Sequence, residues 1–177
     1  VGIPLIITIA LIPFICGFGA LKERVKTAFL QTFWIEERGC LGDVFCDGQL
    51  DRSMRPNQIF AASLPYSPLN DEQAERMLNA VGRDLLTRYG MRTLSPSHVD
   101  YQGRYQGGTA QRDGAYHNGT VWPWLLGHYG EAMLRFSKNK TAAIEFVERV
   151  LGNFEPHLEE AGLGSVSEIF DGDPPHL

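Results

Sequence analysis

The 177-residue sequence has few cysteines and lacks the short motifs of several enzyme classes. Its three cysteines, Cys16, Cys40 and Cys46, form no CxxC pair, and an odd count at irregular spacing indicates reduced thiols rather than a disulfide framework. The five histidines are scattered and no HExxH occurs, so we predict no metal site and no cofactor. The absence of GxxxxGK[ST] and of GxSxG disfavours nucleotide binding and a serine hydrolase elbow.

The sequence also lacks an excess of positive charge. Its formal net charge is -5 and no stripe of Lys and Arg stands out. Binding to nucleic acid requires clustered cations, so we do not expect a nucleic-acid partner. A hydrophobic content of 44% and a charged content of 21% are typical of a globular chain that buries a core.

Residues 1–21 contain no charged side chain and are followed by Lys22, Arg24 and Lys26. This apolar segment is long enough to span a bilayer, and the basic flank is typical of a membrane stop. Pro4 and Pro13 interrupt it, which favours a buried helix or a segment of foreign origin as alternatives. We therefore treat 1–21 as a segment of uncertain origin and 22–177 as the functional domain, with a membrane partner only if 1–21 is a genuine span.

The rest of the sequence predicts an all-α chain. Apolar residues at helical spacing predict a first helix from about Ala20 to Phe33. The stretch "GCLGDVFCDG" that follows is too rich in Gly and Asp for a helix and predicts a short extended excursion. A second helix is predicted to begin near Pro56, since proline is tolerated in a first turn, and to end before Pro65.

The third predicted helix has the clearest start signal. Asn70 is a good N-cap and Gln73 completes a capping box. An apolar stripe continues to Tyr89, and Gly90 is predicted to end the helix as a left-handed cap.

Two further helices follow a long link. The link from Met91 to Gly119 is unusually long for a structureless loop, and loops of that length are usually functional. The fourth helix is predicted to start after Thr120. The fifth contains apolar residues from Ala143 to Leu158, and Pro156 is predicted to kink or split it.

The candidate catalytic and binding residues are carboxylates, aromatics and polar loop residues. Glu168 and Asp171 lie in "SVSEIFDGDPP", and three large aromatics lie in "YHNGTVWPW". Paired carboxylates are the groups that glycoside hydrolysis needs, and indoles stack on the apolar faces of sugars. Each residue also has a plain structural interpretation, as core aromatic, loop ion pair or solvated side chain.

Three long blocks add a resemblance. "RPNQIFAASLPYSPL", "RTLSPSHVDYQGRYQGGTAQRDGAYHNGTVWPWLLG" and "GLGSVSEIFDGDPPH" resemble the C-terminal part of glycogen debranching enzymes, the amylo-alpha-1,6-glucosidase domain. The resemblance runs from about Arg24 to His176. It implies about half of an (α/α)6 toroid of glycosidase type, and inverting hydrolysis of α-1,6-linked glucose at branch points of glycogen or limit dextrin.

The resemblance also implies roles for individual residues. Glu168 matches the position of the catalytic base, and the stretch from Tyr116 to Trp124 becomes a wall of the sugar subsite. The implied substrate-binding residues are Arg55, Asn57, Gln58, Asp113, Tyr116, His117, Trp122 and Trp124. The family's acid lies in a "TWMD"-like block that this sequence lacks, so we expect little or no turnover from this chain alone.

Three alternatives remain open. The chain could derive from another inverting toroidal α-glucosidase, of glucoamylase or trehalase type. It could be a glucan-binding module without catalysis, or a structural remnant. A glycogen or branched-glucan partner implies the cytoplasm as the expected location.

Overall fold

The computed structural model describes residues 19–160 and 163–177. Helices dominate this part of the chain, in agreement with the all-α expectation and with a fragment of a helical toroid. Apart from Gly19, Ala20 and Leu21, the predicted apolar segment 1–21 lies outside the described residues. Within those residues, no helix is both long and apolar enough to cross a bilayer.

Helix α1 spans Gly19–Phe33, as the sequence predicted. Only the end of its apolar stripe packs on the core, where the rings of Phe29 and Phe33 lie 5.1 Å apart. Residues 19–24 at the start of the helix are exposed. Helix α1 therefore meets the rest of the fold through its last turns.

The predicted extended excursion is confirmed as two small antiparallel hairpins. Strands β1 (Trp34–Ile35) and β2 (Cys40–Leu41) form the first, and β3 (Phe45–Cys46) and β4 (Gln49–Leu50) form the second. Asp47 and Gly48 connect β3 to β4 with positive φ values of 50° and 77°, as a tight type I′ hairpin requires. Cys40 is buried and Cys46 is exposed, and both are free thiols.

The second predicted helix is confirmed in place but begins with a tighter turn. A 3-10 turn over Pro56–Ile59 leads into α2 (Phe60–Ser63). Leu64 is extended because the following proline disfavours a helical residue before it. Ile59 is fully buried, so this short element is anchored in the core.

Helix α3 spans Asp71–Leu85 and confirms the capping box. The Asn70 side chain accepts from the Gln73 amide, and the Gln73 side chain accepts from the Asn70 amide. The predicted end at Gly90 is wrong, because the helix stops at Leu85 and Thr87 turns the chain by pairing with the Gly90 carbonyl. Gly90 is needed for another reason: a Cβ there would lie 2.7 Å from the Trp122 carbonyl oxygen.

The link from Met91 to Gly119 is not structureless. It contains strand β5 (Met91–Arg92) and helix α4 (Thr109–Ala115). Strand β5 pairs antiparallel with β6 (Val121–Trp122), so the predicted helix start directly after Thr120 is wrong. The backbone of Val121 also exchanges hydrogen bonds of 2.8 and 3.0 Å with Phe170, which holds this segment extended.

The last three helices follow β6 in the sequence. Helix α5 (Leu125–Phe136) contacts α2, α3 and α6 (Lys140–Gly152), and α7 (Phe154–Glu160) follows. The predicted split of the fifth helix is confirmed, but it occurs at Asn153. Pro156 sits in the first turn of α7, where its missing N–H breaks no helical hydrogen bond.

Three loop segments approach closely around Gly172. Its amide donates to the Gly103 carbonyl at 2.7 Å, and a Cβ at Gly172 would lie 2.1 Å from the Gly119 carbonyl oxygen. We expect Gly172→Ala to lower the free energy of unfolding by about 1–3 kcal/mol, because the backbone must move to admit the methyl group.

Denaturant unfolding would measure this loss, with Gly127→Ala as the matched control. Gly127 lies in α5, and no atom lies within 4 Å of the position that a Cβ would take there. Alanine at Gly127 should therefore be neutral or stabilising by up to about 1 kcal/mol. Equal effects of the two substitutions would contradict the close packing at Gly172.

Candidate functional site

Two cavities lie on either side of a pair of indoles. A cavity of about 600 Å³, here called the apolar cavity, is lined by Trp122, Trp124, Leu151, Phe154, Val166 and Glu168, among others. A cavity of about 290 Å³, here called the polar cavity, is lined by Arg55, Asn57, Thr93, His117, Trp122 and Trp124, among others. Trp122 lies on strand β6 and Trp124 directly precedes α5, and both side chains line both cavities.

Glu168 is an exposed carboxylate in the wall of the apolar cavity. Its Oε2 accepts a hydrogen bond of 2.9 Å from the Tyr116 hydroxyl. This bond to a carboxylate raises the pKa of Tyr116, so the hydroxyl remains a donor at neutral pH. Glu168 forms no ion pair with any residue of the described ranges 19–160 and 163–177, which leaves its charge uncompensated by a cation.

The aromatic side chains of the "YHNGTVWPW" stretch pack on one another. The ring of His117 stacks on Trp122 at 5.1 Å and 13°, and Tyr116 meets Trp122 edge-on at 4.9 Å. Trp124 stacks on Phe60 at 5.9 Å and is still 56% exposed. An indole that is fixed on one side and open on the other offers a preformed stacking surface.

Arg55 joins its own segment to two others by hydrogen bonds. Its Nη1 donates to the carbonyls of Thr93 at 3.1 Å and His117 at 2.7 Å, and its Nη2 donates to the Asn118 side chain at 3.0 Å. Its Nε lies 3.7 Å from the Asp43 carboxylate. Arg55 therefore shapes the polar cavity, and much of its donor capacity is already used within the protein.

Asp43 is a site residue that the sequence analysis missed. Its carboxylate accepts 2.8 Å from the Asn57 amide and lies beside Arg55, so it orients two residues of the polar cavity. Burial raises the pKa of Asp43, while the Asn57 hydrogen bond and the Arg55 charge act to lower it. The signal in the sequence was an acid between apolar residues in "LGDVF".

The structure places Gln58 and Asp113 away from both cavity walls. Gln58 is 3% exposed, and its amide accepts from the Leu41 N–H at 3.1 Å and donates to the Arg55 carbonyl at 3.0 Å. Asp113 is exposed on α4, and no hydrogen bond or ion pair joins its carboxylate to another described residue. Gln58 thus supports the polar cavity from behind.

Asp171, the second carboxylate of its loop, is engaged in holding that loop. Its Oδ1 accepts from the Tyr105 N–H at 2.8 Å, and its Oδ2 lies 3.3 Å from Arg104. Asp173 accepts from the Tyr101 hydroxyl at 2.9 Å; burial and this bond raise the pKa of Tyr101 to about 12. These contacts tie the Glu168 loop to the link before α4.

Ser53, His98 and Asp100 form a cluster that resembles a nucleophilic triad in composition only. The Asp100 N–H donates to His98 Nδ1 at 3.1 Å, so Nδ1 is unprotonated and the neutral ring carries its proton on Nε2. Nε2 then donates to Ser53 Oγ at 3.1 Å and cannot act as its base. Among the described residues, no group of three or more His, Cys, Asp and Glu side chains is arranged to hold a metal.

Comparison with known proteins agrees with the resemblance seen in the sequence. A family model described as amylo-alpha-1,6-glucosidase matches residues 10–177. The glycogen debranching enzyme of Saccharomyces cerevisiae (strain ATCC 204508 / S288c) is 30% identical over an alignment of 110 residues, which covers 58% of this chain. The matched region spans 7% of the length of that yeast protein.

The buried Asp43 predicts a distinctive pH dependence of stability. Its folded pKa is raised above the ordinary 3.8, so the folded state holds the proton more tightly. The free energy of unfolding of the wild type, relative to Asp43→Asn, should therefore fall as the pH rises from 3.8 through the raised value. Urea unfolding between about pH 3 and about pH 7 would measure the difference.

Asp51→Asn is the control, because the pH dependence of stability that comes from Asp51 should have the opposite sign. Hydrogen bonds from Ser53 lower the pKa of Asp51 below 3.8, so its contribution to stability is lost as the pH falls through the folded value. The wild type should therefore gain stability over Asp51→Asn as the pH rises. The same slope for both pairs would contradict the burial of Asp43.

Proposed function

The chain belongs to the amylo-alpha-1,6-glucosidase family, and from this premise we propose that it carries part of a site that hydrolyses α-1,6-linked glucose at branch points of glycogen or limit dextrin, with inversion. The observation that supports this proposal is the placement of Glu168. An uncompensated carboxylate, held by Tyr116, lines a cavity whose other walls include two indoles.

Glu168 is proposed as the general base. In an inverting reaction the base removes a proton from water, the water oxygen bonds to the anomeric carbon, and the bond to the leaving oxygen breaks. A carboxylic acid about 6.5–9.5 Å away protonates that leaving oxygen. We assign the acid to a segment outside this sequence, because the sequence lacks the family's "TWMD"-like block.

Trp122 and Trp124 are proposed as the stacking surface for glucose rings. Sugar C–H faces are apolar, and the exposed part of Trp124 borders both cavities. In the polar cavity, Asn57 and His117 are the proposed partners of sugar hydroxyls, with Asp43 holding the Asn57 side chain and Arg55 holding the His117 backbone. Gln58 acts behind this layer, and Asp113 would meet only parts of a glucan that extend beyond both cavities.

The decisive test is glucose release from a glucosyl-α-1,6-branched limit dextrin by the complete polypeptide that carries this chain. We expect Glu168→Gln to lower kcat by roughly 10²- to 10⁴-fold, because the amide cannot accept the proton from water. Glu148→Gln, at an exposed glutamate of α6, is the matched control and should be unaffected.

Other outcomes separate the alternatives. Undiminished release by Glu168→Gln would reject Glu168 as base and direct attention to Asp171. Hydrolysis of maltose or trehalose in place of the branched dextrin would favour another toroidal α-glucosidase. Glucan binding that Glu168→Gln leaves unchanged, with no hydrolysis by the wild type, would favour a binding module.

A second prediction concerns the indoles. We expect Trp124→Ala to weaken binding of a branched glucan by about 10-fold, because the stacking area is lost. Titration followed by intrinsic fluorescence would measure the affinity. Trp34→Phe is the control, since Trp34 lies on β1 outside both cavity walls, and unchanged affinity of Trp124→Ala would reject the stacking role.

A further inference from the structure

A buried histidine holds the backbone directly before Glu168. His157 lies on α7, is 5% exposed, and has its ring 4.7 Å from that of Phe170 and 5.8 Å from that of Tyr89. Its Nε2 lies 3.1 Å from the Ser167 amide nitrogen and 3.1 Å from the Ser167 hydroxyl. The residue that follows Ser167 is Glu168.

The bond to the amide determines the tautomer of His157. A backbone N–H can only donate, so Nε2 must present its lone pair to Ser167. The ring is therefore neutral, with its proton on Nδ1. In this state the lone pair of Nε2 can accept the hydrogen bond that the Ser167 N–H donates.

The Glu168 loop is attached on both sides of the carboxylate. On the far side, Phe170 exchanges two backbone hydrogen bonds with Val121, so only Glu168 and Ile169 lie between the two attachments. On the near side, residues 163–166 are exposed, and Val166 is 46% exposed. The His157 bond is thus the attachment that separates this exposed run from Glu168.

We propose that His157 is a positioning residue that fixes the carboxylate of Glu168 by accepting the Ser167 amide hydrogen bond. The proposal rests on the proposed function of Glu168 as base. A base must be held within a fraction of an ångström of its productive position, and a displacement of about 1 Å costs on the order of 10²-fold in rate.

The kinetic test compares two substitutions of His157 in the complete polypeptide. His157→Phe keeps the ring contacts with Phe170 but has no acceptor, and we expect kcat for branched limit dextrin to fall roughly 10- to 100-fold with a smaller change in KM. His157→Gln retains a carbonyl acceptor and should recover part of this loss. A merely structural role would not give recovery by an acceptor.

His98→Phe is the matched control. His98 also accepts a backbone N–H, from Asp100 at 3.1 Å, and also contacts a serine hydroxyl at 3.1 Å, but its loop does not carry Glu168. We expect its kcat to stay close to that of the wild type. An equal loss in both variants would overturn the positioning role, as would full activity of His157→Phe beside an inactive Glu168→Gln.

A spectroscopic test does not depend on activity. In protein labelled with ¹⁵N at histidine, Nε2 of His157 should resonate as an unprotonated nitrogen and Nδ1 as a protonated one, with the signals assigned by their loss in His157→Gln. A protonated Nε2 would overturn the proposal. Full hydrolysis by Glu168→Gln would instead reject the role of Glu168, so the two failures are distinguishable.

Discussion

The site depends on the backbone pairing of Val121 with two neighbouring segments, one on each side. One side pairs with β5 and the other exchanges two hydrogen bonds with Phe170. Successive side chains of a strand point to opposite faces, so the fully buried Val121 directs Trp122 to the cavities. The same pairing brings the Glu168 loop beside the aromatic stretch, although about fifty residues of chain separate them.

The carboxylates around the site divide into two kinds according to their partners. Asp43 and Asp171 each lie near an arginine and accept further hydrogen bonds, so these side chains hold loops together. Glu168 accepts from the neutral hydroxyl of Tyr116 and keeps its charge unpaired among the described residues. This arrangement suits the proposed role of Glu168 as base, since a nearby cation would make a carboxylate a weaker base.

Local signals in the sequence located most of the helices, but they missed α4 and failed where the structure is set by distant contacts. The capping box at Asn70 was predictable because its hydrogen bonds span three residues. Gly90 was misassigned because its requirement comes from the Trp122 carbonyl in a strand of two residues, which has no periodicity to detect. For the site, the resemblance pointed to segments that the structure brings together around the two cavities. The roles of Arg55 and Gln58 in supporting the polar cavity could not be predicted, since their hydrogen-bond partners lie up to 63 residues away in sequence.

The apolar cavity is open on one side, and its described lining does not include a carboxylic acid that could act as the general acid opposite Glu168. Among the described residues that line this cavity, Glu168 is the only carboxylate, and the other side chains are apolar except for Ser167. Trp124, Leu151 and Val166 are each about half exposed at its rim. An inverting reaction requires an acid across the cavity from the base. In the proposed reaction the acid therefore has to be supplied at this open rim by a segment other than the described residues that line the cavity.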